Sequence, residues 1–164
     1  MAAITITNQD DTILLAVAAA LSGATVGGNN LFAQVRHAGS PEEARQKYLT
    51  AGASATAVVV YTGTDEYRIF DLKWGMVCDI DLILAVKDTS PALRKTAITR
   101  LINGAKNAVA AGPPAIAKAF GADGELHRRL EWADPSLDLL TNQPWAIAVL
   151  PLRIAYVVDD ETSR

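Results

Sequence analysis

Alternating apolar and polar positions near the end of the chain predict a long β-strand over residues 144–160. Every even position from Ala146 to Val158 is apolar, whereas the odd positions include Trp145 and Arg153. Because successive side chains of a strand point to opposite faces of a sheet, we expect the even positions to face the core. The odd positions are expected to form a mixed surface, so this strand is a scaffold element rather than a reaction centre.

A second segment, residues 74–87, shows the same alternation over its whole length. Its other face carries Asp79, Asp81 and Lys87. A strand with one continuous apolar face is expected near the centre of a sheet, with its polar side toward water or a neighbouring subunit. The apolar face consists of Trp74, Met76, Cys78, Ile80, Leu82, Leu84 and Val86.

Two amphipathic helices are predicted in the first third of the chain. The first covers residues 8–21, where apolar residues recur at helical spacing. The second begins at Ser40 and runs to about Leu49. Serine is a natural N-cap, Pro41 fits the first helical position and Glu43 completes a capping box.

The longest helix is predicted to begin at Ser90, which is again followed by proline. Its apolar residues recur at helical spacing and indicate one buried face. We expect its cations, Arg94, Lys95, Arg100 and Lys106, on the exposed surface.

The remaining segments are predicted to be short strands, turns and loops. They are a flexible loop at 23–30 (GATVGGNN), a strand at 31–37, a hairpin of 55–61 and 67–73 around TGTDE, an alanine-rich helix ending near 120, a strand at 125–132 and a turn at 133–138 (ADPSLD). Together the elements predict a single α+β domain over residues 1–164. We expect a mixed, mainly antiparallel β-sheet with helices packed on one face.

Composition narrows the function classes. Half of the residues are hydrophobic and a fifth are charged, which favours a folded chain, and the net charge of −3 without long charged runs argues against sequence-specific nucleic-acid binding. The single cysteine, Cys78, excludes an intramolecular disulfide framework and a cysteine-based zinc site. We expect no membrane span and, because the first residues lack a basic region, no signal peptide, so the cytoplasm is the expected compartment.

Candidate chemistry is sparse, and we expect no catalytic, cofactor-binding or metal-binding residues. The glycine-rich loop lacks the Lys-Ser/Thr pair of a phosphate loop, and His37 and His127 have no companion at metal-ligand spacing. Asp79 and Asp81 share a strand face, which is one way to arrange carboxylates for acid–base work. Solvated acidic residues or a subunit salt bridge account for the same pair without chemistry.

The order of these elements, with the ending DPSLD…NQPWAIAVLPLRIAY, resembles the small tail terminator proteins of tailed bacteriophages. The resemblance covers nearly the whole chain and is greatest to terminators of contractile, Mu-like prophage tails, which share a lambda-type fold. It implies a homo-hexameric ring that caps the tail tube, ends tube polymerisation and offers a surface for joining the head. It further implies contacts with tube, sheath and head-neck proteins in a virion assembled in the host cytoplasm, with no cofactor.

A subunit interface is the functional site that follows from the residues and the resemblance together. Arg153 is the only cation of the terminal strand, and we expect it to pair with Asp79 or Asp81 of a neighbouring subunit. Trp145 is a further interface candidate because tryptophan is favoured at interface centres. Two alternatives remain: a neck or head–tail joining protein of the same virion, and a small enzyme that uses Asp79, Asp81 and His127.

Overall fold

The secondary structure is known for most of the chain. The computed structural model describes residues 9–49, 54–68, 74–88, 90–111, 129–139 and 144–158. The elements, in chain order, are α1 (Gln9–Ser22), β1 (Thr25–Val26), β2 (Asn29–Asn30), β3 (Gln34–Ala38), α2 (Pro41–Leu49), β4 (Ala55–Arg68), β5 (Trp74–Lys87), α3 (Pro91–Ala111), β6 (Arg129–Trp132), β7 (Ser136–Asp138) and β8 (Trp145–Val158).

One mixed sheet organises these elements. The described strands follow the order β3, β4, β5, β8, β6, and β7 pairs with β8 on the same edge as β6. Only β3 and β4 are parallel, and the other pairs are antiparallel. The predicted α+β class with a mainly antiparallel sheet is therefore confirmed.

Helices α1 and α3 cover the first face of this sheet. The even residues of β5 and β8 point toward these helices, and Leu82, Leu84 and Leu150 are completely buried there. The alternation read from the sequence thus assigned the core face of both strands correctly, and Cys78 is buried on it as expected. The side chains of Trp74, Tyr156 and Val158, which belong to the same prediction, lie outside the described residues.

Helix α2 packs against the opposite, second face of the sheet and covers one end of it. Its Ala44 belongs to a smaller apolar cluster with odd residues of β5 and β8. Two helices therefore share one face, as predicted, while the short third helix lies on the other. The cluster under α2 consists of Ala38, Ala44, Val58, Val60, Ile83, Ala85, Trp145 and Ile147.

The predicted start of α2 is confirmed in atomic detail. The Ser40 Oγ accepts a hydrogen bond from the Glu43 N–H at 3.1 Å, and the Glu43 carboxylate accepts one from the Gly39 N–H at 2.8 Å. These bonds satisfy backbone donors that a helix start otherwise leaves unpaired. Lys47, one turn later, forms an ion pair with Glu43 at 2.7 Å, and its hydrogen bond lowers the pKa of that carboxyl group.

The prediction of a hairpin around TGTDE is wrong in its boundaries. Strand β4 continues without a turn to Arg68 and pairs with β5, while residues 69–73, part of the predicted second arm, lie outside the described residues. Tyr61 opposes Ile80 and Gly63 opposes Asp79, so Thr62 is one extra residue in the ladder. A β-bulge absorbs such a residue, and glycine is common beside one. The turn-like composition therefore marks a bulge.

The glycine-rich segment 23–30 is a small β-hairpin instead of an irregular loop. Strands β1 and β2 pair antiparallel, and Gly27 and Gly28 join them with φ angles of 59° and 82°. Two successive residues with positive φ are what a two-residue type I′ turn requires, and glycine adopts them without steric cost.

Two later segments also differ from prediction. The turn predicted at 133–138 contains β7, which pairs with Ile147–Val149 of β8. The strand predicted at 125–132 is observed as β6 over its last part, and residues 125–128 lie outside the described residues, as does the alanine-rich helix. A three-residue strand has too short an alternation to be recognised among turn residues.

Arg94 of α3 is buried, contrary to the prediction that it lies on the surface. Only 1% of its surface is exposed, and it occupies the core-facing stripe of α3 with Ile98 and Leu101. Its Nε, Nη1 and Nη2 atoms form no hydrogen bond with any residue that the structure describes. Lys95 and Arg100 are exposed, as expected, whereas Lys106 is half-buried.

Candidate functional site

An open groove with several polar side chains lies on the second face of the sheet. It lies beyond the part that α2 covers, where β5, β8 and β6 run side by side, and has a volume of about 390 Å³. Its polar lining comes from Thr62, Asp79, Asp81, Glu131 and Arg153. Three carboxylates and one guanidinium make this groove acidic.

Strand alternation explains why these residues meet. Asp79 and Asp81 are odd residues of β5, and Arg153 is an odd residue of β8, so all three point away from the core. The bulge at Thr62 places that residue beside the groove. Glu131 reaches the groove because β6 pairs with β8 and sets Glu131 opposite Arg153.

Pro151 forms part of the groove wall at a gap between β6 and β7. Those two strands pair with separate parts of β8, and between them the Ala133 N–H donates to the Pro151 carbonyl oxygen at 3.1 Å. The N–H and C=O of one strand residue point the same way, so the N–H that proline lacks would face this gap. The gap therefore accommodates proline without breaking a regular ladder.

Arg153 pairs with Asp79 of the same chain. The two residues are direct partners in the antiparallel register, with Arg153 Nε 2.8 Å from Asp79 Oδ1 and Nη2 3.4 Å from Oδ2. Asp79 raises the pKa of the guanidinium through this hydrogen bond and through its charge. The acidic partner predicted on a neighbouring subunit is supplied by the adjacent strand of the same chain.

The surroundings of Asp81 differ from those of Asp79. Its side chain is half-buried, and no described residue forms a hydrogen bond or ion pair with its carboxylate. Burial, and secondarily the negative charge of Asp79, raises the pKa of Asp81 above its ordinary value. A carboxylate in this state gains from any cation that enters the groove.

Trp145 does not belong to this groove. It is 7% exposed and lies in the apolar cluster under α2, opposite Lys87 in the β5–β8 register. Its distance from Arg153 along β8 is roughly 26 Å at about 3.3 Å per residue. Of the four interface candidates from the sequence, the structure thus brings Asp79, Asp81 and Arg153 together and places Trp145 elsewhere.

The enzyme alternative rests on residues that are only partly described. Asp79 and Asp81 share the groove, but His127 lies outside the described residues. Within the described ranges, no group of three or more His, Cys, Asp or Glu side chains is arranged to hold a metal ion. No helix among the described residues is long and apolar enough to cross a membrane.

Two groove residues escaped the sequence analysis. Glu131 is a strand residue whose partner strand was unknown, so nothing in the sequence connected it with Arg153. Thr62 was read as part of a turn. The period-two pattern of residues 125–132 could have placed Glu131 on a polar face, but only strand pairing shows which neighbour it meets.

Comparison with known proteins adds no assignment. No model of a protein family matches the chain, and no curated protein is significantly similar to it.

Proposed function

We propose that this protein is a bacteriophage tail terminator, which forms a hexameric ring, caps the tail tube and offers a surface to head-joining proteins. Its support begins with the order of elements on which the resemblance rests. The structure has helix α1, strand β3, the capped helix α2, the paired long strands β4 and β5, helix α3 and the terminal strand β8 in that order, with the short strands β1, β2, β6 and β7 between them.

The observation that carries the proposal is the second face of the sheet. Strands β5 and β8 are fourteen residues long, and α2 covers only one end of the face that they share. The rest presents the acidic groove, including a half-buried carboxylate without a partner among the described residues. Such a surface can be matched by a positively charged patch of another subunit, because opposite charges across an interface favour specific association.

A self-association measurement tests the ring. Native mass spectrometry of the purified protein over a concentration series is expected to show a closed assembly of six copies. Heterologous contacts close into rings when the rotation between neighbours allows it. A strict monomer at every concentration, together with its absence from purified tails, would contradict the proposal.

A genetic experiment tests the termination step itself. Lysates of a phage that lacks this protein are expected to contain abnormally long or headless tails in electron micrographs, and supplying the protein in trans should restore normal particles. Tails of normal length that fail to join heads would instead support the neck or head–tail joining role. Normal tails joined to heads would refute both virion roles.

The groove also favours a second candidate, a small enzyme. The raised pKa of Asp81 beside the charge of Asp79 resembles the unequal carboxylate pairs of acid–base catalysis. Asp79 is already engaged by Arg153, which leaves Asp81 as the acid–base candidate. Quantitative mass spectrometry of purified tails separates the candidates, because a ring component is present in stoichiometric amounts and an enzyme of the host cytoplasm is absent.

A further inference from the structure

The exposed side of α3 is cationic and carries no opposing charge. The helix contains no aspartate or glutamate, and Lys95 and Arg100 are both exposed. Arg100 forms no hydrogen bond or ion pair with any residue that the structure describes. A long helix of one charge sign attracts acidic surfaces at a distance set by ionic strength.

Arg100 shares its helical stripe with an exposed apolar residue. Leu93 is 58% exposed, and positions 93, 96 and 100 follow the three- and four-residue spacing that aligns side chains on one side of a helix. The stripe therefore combines a large exposed leucine with an arginine. Arginine is enriched at protein interfaces, and an interface core is more apolar than the remaining surface.

The groove has the complementary charge. Arg153 engages Asp79, but Asp81 keeps a half-buried carboxylate without a partner among the described residues, and Glu131 adds a further negative charge. The groove volume of about 390 Å³ accepts side chains rather than a whole helix. A long cationic side chain that enters from a helix on its rim fits this shape and this charge.

We propose that the groove of one copy receives the Leu93–Arg100 stripe of α3 from a second copy, with Arg100 paired to Asp81. This inference rests on the proposed function, since it names the contact that builds the ring. Because α3 covers the first face of the sheet and the groove lies on the second, the two patches are on opposite sides of one subunit. The contact is thus heterologous, and every subunit uses both patches.

Charge exchange tests this contact. Arg100→Asp and Asp81→Arg, each alone, are expected to weaken association about tenfold or more, which corresponds to ~1.4 kcal/mol. The double variant is expected to recover most of the association, because every interface then regains an opposite-charge pair. Association of the wild-type protein should also weaken as salt is raised.

The readout is the assembled fraction in sedimentation velocity and native mass spectrometry over a concentration series, with circular dichroism to show that each variant is folded. Lys87→Glu is the matched control, because Lys87 is exposed at the end of β5, outside both patches. Should Asp81→Arg fail to fold, Asp81→Asn, Arg100→Gln and their combination replace the exchange; because the second neutralisation then removes no further pair, this double variant is expected to assemble no worse than the weaker single variant.

Three results would overturn the contact. They are single variants that assemble like the wild type, a charge-exchanged double variant no better than its singles, and a control that weakens association as much as Arg100→Asp. In each case a wild-type ring would leave the proposed function standing. A wild-type protein that never assembles would overturn the ring and the contact together.

Discussion

Replacing Arg94 by methionine is expected to leave the protein as stable as before or to stabilise it. The Arg94 side chain is 1% exposed, and its three nitrogen atoms have no acceptor among the described residues. A guanidinium cannot shed its charge at accessible pH, so burial cannot be relieved by deprotonation. Its charge therefore opposes folding, while its aliphatic part packs in the stripe with Ile98 and Leu101.

The size of the effect follows from the cost of burying charge. Replacing a buried ionic group by an apolar side chain of similar volume is often neutral or stabilising by about 1–4 kcal/mol. Methionine keeps an unbranched chain of similar shape, so it retains most of the packing. We expect Arg94→Met to change the free energy of unfolding by about 0 to +3 kcal/mol in the stabilising direction.

Urea unfolding followed by circular dichroism measures this change, provided that the slope of the transition is the same in both proteins. Lys95→Met is the matched control on the same helix, because Lys95 is exposed and is not one of the stripe positions 93, 96 and 100, so its replacement should alter stability by less than about 0.5 kcal/mol. A loss of about 3–5 kcal/mol for Arg94→Met would refute the reasoning. It would mean that the guanidinium has an acceptor in the folded protein.

Three further predictions concern the core and the groove. Leu82→Ala should cost about 2–5 kcal/mol in urea unfolding, because Leu82 is fully buried between β5 and the helices; a change near zero would contradict the assigned face. Gly104→Ala should lower the melting temperature, because the new Cβ would overlap the buried Leu31 side chain and this clash outweighs a gain of about 1 kcal/mol in helix propensity. A higher melting temperature would show that the Leu31 side chain moves aside. Asp81→Asn should become more stable relative to the wild type as pH rises above 3.8. The pKa of Asp81 is raised in the folded state, so above pH 3.8 the folded wild type holds a proton that the unfolded chain has lost, and the wild type loses stability as pH rises further. Parallel stability–pH curves of the two proteins would contradict the raised pKa.

The sequence was sufficient for the elements whose pattern is long. Strands β5 and β8 each alternate over fourteen residues, and a one-residue error would have turned every core side chain outward. Helix α2 was also well predicted, since Ser40, Pro41 and Glu43 act within a few residues of one another. Local chemistry and long periodicity are the features that a single chain reveals directly.

The errors occurred where one residue type serves two structures. Glycine at 27 and 28 forms a tight hairpin turn, while Gly63 lies beside a bulge within a continuous strand. In the sequence, both segments have the composition of a loop. Arg94 was placed wrongly for another reason: an arginine is almost never fully buried unless it is paired, so the cations of a helix are ordinarily assigned to its exposed surface.

The pairing register of β5 and β8 determines which aspartate of the groove, Asp79 or Asp81, is available to a cation of another subunit. Alternation alone put Asp79 and Asp81 on one face and left either of them as the partner of Arg153. The register places Arg153 directly opposite Asp79, while Asp81 faces Pro151, which carries no side-chain donor. An isolated pair on a half-exposed face contributes little to association. Asp81, rather than Arg153, is therefore the residue that we expect to form an ion pair with another subunit. A half-buried carboxylate without a described partner gains more from an incoming cation than a carboxylate that is already paired.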